Sequence, residues 1–152
     1  MNTHNQNNIA PKFILLLAAF ICLFTATAHM SCIWLGPECF SYQMAPAELV
    51  ESSKNGTLLA PIGTIVVSSI FVGWALYAIS AAGYLRRLPF LKVAIYSIAF
   101  LCIARGLLGI QLWIRKPERV TEFANVSNWL WLLTGVLFLV GYIWRCRIKR
   151  TH

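Results

Sequence analysis

One arginine interrupts a long apolar run of this chain: Arg105, within residues 91–114. A guanidinium at membrane depth costs at least about 2.5 kcal/mol unless it is paired or hydrated, so by default it marks a site. Its planar fork of donors suits carboxylate, phosphate or backbone carbonyls. Glu38, Glu48 and Glu51 are the candidate carboxylate partners, in the loop that precedes the second apolar run. The plainer reading is an arginine about 12 Å below the end of its helix, at 1.5 Å per residue, that lifts its head toward the surface along its aliphatic stem. The second group with chemistry is the cysteine pair Cys32 and Cys39. In an oxidising compartment the pair is expected to form a disulfide, worth about 2.5 kcal/mol in the chain-entropy model. A redox-active pair working with a quinone is the competing reading. Against it, six residues separate the cysteines and no His or Lys lies between them to activate a thiol. His29 and Glu38 beside the cysteines match no structural zinc spacing, so neither metal nor cofactor is expected. Trp74 and Tyr77 lie mid-run in the second apolar stretch and are read as an internal polar contact or anchor.

The elements that must position these residues follow from composition. With 59% hydrophobic and only 12% charged residues, the chain lies outside the soluble globular range. Apolar runs at about 13–30, 62–84, 91–114 and 126–144 are each long enough for the roughly 30 Å hydrocarbon core. The expected fold is therefore an all-α membrane protein, a four-transmembrane-helix bundle forming one domain over 1–152. No Asp, Glu or His is expected inside a span, which removes the usual proton relay and carboxylate cation site. The first run has a second reading as a secretory signal, because Lys12 precedes it and Ala26-Thr27-Ala28 resembles a cleavage site. The three further runs favour a retained span.

Charge sets the orientation. Lys12, Arg86, Arg87, Lys92, Arg145, Arg147, Lys149 and Arg150 fall on one side with no acid, and all five carboxylates fall on the other. Cytoplasmic loops retain Lys and Arg, so both termini are expected inside. Arg86, Arg87, Arg145, Arg147, Lys149 and Arg150 are then placed to meet anionic lipid headgroups on the cytoplasmic side. Clustering at span ends also disfavours nucleic acid as the partner of a chain with net charge +8.

The outer loop, about 31–60, holds the cysteine pair and a short interfacial helix over 45–54, with Pro46 in its first turn and Asn55-Gly56 as its stop. Pro61 suits the start of the second span, and Ser127 is expected to cap the fourth. Ser69 with Gly73 and Ala78 with Ala82 are spaced for close helix packing, and Gly106 and Gly109 would admit another helix or a ligand.

The run Trp74-Ala75-Leu76-Tyr77-Ala78-Ile79-Ser80-Ala81-Ala82-Gly83-Tyr84-Leu85-Arg86-Arg87-Leu88-Pro89, followed by Ala104-Arg105-Gly106-Leu107, resembles a family of small bacterial inner-membrane proteins over about residues 56–109. Ala81 stands where that family more often has Gly. The resemblance implies the bacterial inner membrane and no activity. The expected function is non-catalytic: an accessory, assembly or protective partner of another membrane protein or of a second copy. A small transporter or lipid- or anion-binding protein using Arg105 is the alternative, and a thiol or quinone redox protein the third class.

Overall fold

A computed structural model describes residues 3–150; the side chains of residues 3–8, Arg119, Lys149 and Arg150 are outside the description. The described chain is all-α: α1 (Thr3–Leu35), α2 (Pro37–Tyr42), α3 (Ala47–Lys54), α4 (Leu59–Ala82), α5 (Leu91–Arg115) and α6 (Glu122–Arg150), with a 3-10 turn at Pro117–Arg119. Four segments, Ile9–Leu35, Leu59–Ala82, Leu91–Arg115 and Glu122–Ile148, are long and apolar enough to cross a membrane.

Side-chain size is distributed as lipid, not water, requires. Phe13, Phe20, Phe24, Leu76, Phe100 and Leu108 point outward, while the interior is built largely from Ala18, Ala19, Cys22, Ala75, Ala78, Ala99 and Cys102 around Leu15, Ile95 and Phe138. Between apolar helices in an apolar solvent there is no hydrophobic drive, so close approach through small residues holds them together. The chain is thus a multi-pass membrane protein.

Its four long helices form two antiparallel pairs, α1 with α4 and α5 with α6. α1 and α6 join the pairs, whereas α4 and α5 touch only sparsely. Residues 36–58 and 116–121 gather at one end, the cap end, where Tyr42 and Phe123 rings lie 4.4 Å apart. The start of α1, the α4–α5 loop and the end of α6 gather at the other, the tail end, with the Lys12 ammonium 5.8 Å from the Tyr84 ring centre.

Two boundaries and one packing face differ from expectation. α6 begins at Glu122 because Thr121 Oγ1 accepts the Ala124 N–H at 3.2 Å, so Thr121 and not Ser127 caps it. The first span runs on to Leu35, and His29, near the end of the expected 13–30 run, lies well inside this apolar helix although no span was expected to hold a histidine. The Ser69–Gly73 line faces outward: Ser69 Oγ donates to its own helix at Ile65 O, and nothing approaches Gly73. α4 packs instead along Ala60, Thr64, Ser68, Phe71, Ala75, Ala78 and Ala82.

Candidate functional site

Glycines bring α5 and α6 into close approach along their seam. Cβ atoms built at Gly106 and Gly135 would run into backbone of the facing helix, at Leu132 N and Asn128 O for Gly106 and at Ala99 O for Gly135. At Gly109 the missing side chain leaves a notch filled by the Asn128 amide. Asn128 is 2% exposed, so an unpartnered amide there would be expensive. Its Oδ1 accepts from Arg105 Nη1 at 2.9 Å. Gly109, Asn128 and Arg105 therefore form one unit: the notch admits the amide and the amide holds the guanidinium.

Arg105 itself is exposed on the bundle surface, and among the described residues no carboxylate pairs with it. Glu38, Glu48 and Glu51 belong to the cap, and the expected tie from the guanidinium to that loop is made to α6 instead. A guanidinium has five N–H donors. One is taken by Asn128, and the exposed side of the group faces away from the helices.

Trp74 and Tyr77 serve different contacts. Trp74 packs edge-on to Phe71 at 5.2 Å and to Trp131 of α6 at 6.0 Å, which makes it part of an aromatic cluster across the bundle. Tyr77 Oη donates to Pro89 O at 3.3 Å. One turn on, Ser80 Oγ donates to Arg86 O at 3.0 Å and accepts the Leu88 N–H at 3.1 Å. The Tyr77-x-x-Ser80 spacing thus latches the Arg86-Arg87-Leu88-Pro89 loop to the end of α4. Gly83, at φ 86°, closes the helix, and the Arg145 guanidinium lies where its side chain would be.

Of the basic residues at the tail end, Arg86, Arg87 and Arg147 are exposed. Arg145 is half-buried over Gly83, and its Nε has no hydrogen-bond partner among the described residues. Lys149 and Arg150 end α6, their side chains outside the described set.

At the cap end Cys32 and Cys39 form a disulfide with Cα atoms 5.2 Å apart. It clamps α2 against the end of α1, after Gly36 breaks the helix at φ 79°. Gln43 reinforces the clamp, its Nε2 donating to Ala28 O at 2.9 Å and lying 3.7 Å from Cys39 Sγ. Ser52 of α3 accepts the Ala60 N–H at 2.8 Å, so a residue from a neighbouring helix caps α4. Among the described residues no group of three or more His, Cys, Asp or Glu is placed to hold a metal ion.

Asn128, Ser80, Gln43 and Ser52 are the structural residues that sequence reasoning missed. Only Ser80 carried a signal, one turn after Tyr77 on the same helix face. Comparison with protein-family models, curated proteins and solved structures found no match.

Proposed function

We propose that this chain is a non-catalytic partner subunit of a bacterial inner membrane, N-terminus and C-terminus in the cytoplasm, that docks a second membrane protein on the α5–α6 seam. The observation that carries the reading is Arg105: an exposed guanidinium on an apolar helix with one described partner, the neutral Asn128. Its uncompensated charge calls for an acceptor from outside the chain. A second copy offers no carboxylate for it, because the acids are Glu38, Glu48, Glu51, Glu118 and Glu122, at the cap end and in the first turn of α6. A different helix bearing a carboxylate or free carbonyls at that depth fits the fork.

A second reading has its own observation. Asn128 adjoins Trp129, which is 53% exposed and of the type that settles at headgroup level, so an anionic lipid phosphate could meet the same donors. Purification from native membranes in mild detergent distinguishes the two. A stoichiometric protein that is lost from Arg105→Leu supports docking; an anionic phospholipid lost from the same variant supports the second reading. Retention of every co-purifying species by Arg105→Leu refutes both.

A further inference from the structure

At the tail end, two cations from different helices meet the end of α4. Gly83, at φ 86°, is exposed, and the Arg145 guanidinium of α6 lies where a side chain on it would be. Tyr84 comes next in the chain, and the Lys12 ammonium of α1 is 5.8 Å from its ring centre. Three helices thus build the place, and its floor is a glycine. It is remote from the Arg105 seam and plays no part in the docking reading: Arg145 is about 25 Å along α6 from Asn128, at 1.5 Å per residue.

Among the described residues neither cation has an anionic partner. Arg145 is half-buried, its Nε is enclosed without a hydrogen bond, and no carboxylate pairs with the group. Lys12 is half-buried as well. The chain has no Asp, and its five Glu are at the cap end or in the first turn of α6. Withdrawing a cation from water without a partner is costly, and a second cation on the adjoining residue adds repulsion. One anion received by both relieves both costs. Arg147, further along the same helix, is exposed and has no such need.

Depth identifies the anion. Arg145 is about 4.5 Å short of Ile148, where the apolar segment of α6 ends. Trp144 and Tyr84, both exposed, are of the types that settle at headgroup level, where lipid phosphate is the abundant acceptor. Phosphate oxygens match the guanidinium fork, and basic recesses between membrane helices take anionic headgroups. Phe13 and Leu85, exposed beside Lys12 and Tyr84, offer apolar surface to the acyl chains, which a free phosphate lacks. We infer that Arg145, seated on Gly83, and Lys12 form a defined site for the phosphate of an anionic phospholipid. The Arg145 Nη groups fork onto its oxygens and the Lys12 ammonium meets the same group, in contrast to the diffuse attraction exerted by the exposed Arg86, Arg87 and Arg147.

The probe is dioleoyl phosphatidylglycerol, added to delipidated full-length protein in a non-ionic detergent, with bound lipid counted by native mass spectrometry. Saturable binding of one molecule is expected. Phosphatidylcholine, whose choline cation would stand against Lys12 and Arg145, should bind at least about tenfold more weakly. Arg145→Ala and Arg145→Lys should each weaken binding about tenfold, the second because an ammonium keeps the charge and loses the fork. Arg147→Ala removes the same charge from exposed surface and should change binding less than about twofold. Arg105→Leu should leave it unchanged. Equal loss in Arg145→Ala and Arg147→Ala overturns the proposal and leaves attraction by net charge alone. Equal binding of phosphatidylcholine overturns it too, and loss in Arg105→Leu alone would move the lipid to the seam. Displacement by inorganic phosphate at the same concentration would make the ligand a free anion and overturn the lipid assignment. The phosphatidylcholine and phosphate comparisons use unaltered protein, so they decide the matter even where a variant fails to fold.

Discussion

Among the described residues Asn128 gives Arg105 its side-chain hydrogen bond, and the two should behave as a pair. Asn128→Leu leaves the guanidinium without its described partner, so it should be less stable than the double variant with Arg105→Leu, which removes both polar groups together. A double-mutant cycle on thermal unfolding in detergent should give a coupling of about 0.6–1.7 kcal/mol, the range for hydrogen bonds between membrane helices. Additive single effects would mean that the contact is without weight. Gly109→Ala should cost about 1–3 kcal/mol by crowding the amide out of its notch, measured as a lowered midpoint of the same transition. Gly73→Ala, with nothing near the new methyl, should be neutral or slightly stabilising and serves as its control. Arg105 was legible in the sequence because a charge in an apolar run has no cheap explanation. Asn128 was not: next to Asn125 and Ser127 it reads as polar flank, and only the register imposed by Gly106 and Gly109 turns it toward α5.

Among the elements, the α4–α5 loop is held by side-chain hydrogen bonds and the cap by a covalent bond, and the two respond to different insults. Ser80→Ala removes the donor to Arg86 O and the acceptor for Leu88 N–H, so the loop should open more often. Trypsin cleavage after Arg86 and Arg87 should quicken several-fold in membranes that expose the tail end, with Tyr77→Phe showing a smaller rise. Unchanged cleavage in Ser80→Ala would show that the latch is unimportant. In the cap, replacing Cys32 and Cys39 by serine should cost about 2.5 kcal/mol through the freed loop, and peptide mass analysis without reductant should find the two cysteines joined in the native chain. The four spans were legible because runs of uncharged residues report length directly. Cap and helix starts were less so. The Ser127 position is an ordinary residue of α6, since a hydroxyl inside a helix and one at a cap look alike in sequence, and α2 was hidden in the six residues from Pro37 to Tyr42.

At the scale of the molecule, basic residues of the tail end and carboxylates of the cap end are separated by the length of the helices, which is the physical basis for the expected orientation. Reporter fusions after Lys54 and after His152 should report opposite sides, the first periplasmic and the second cytoplasmic. A periplasmic signal from the C-terminal fusion would reverse the assignment. The division into helix pairs has a consequence for biosynthesis. Neighbours in the chain are neighbours in each pair, so α1 and α4 can associate as soon as α4 leaves the ribosome, without waiting for the second half. α5 emerges next beside a helix it hardly touches, carrying a charge that has nowhere to go. Its partner amide follows only 23 positions later, so α5 and α6 are suited to enter the bilayer together as a hairpin. Contact between α1 and α6 then closes the bundle, and an elongation pause between Arg105 and Asn128 would be the moment at which the nascent protein is most exposed to quality control.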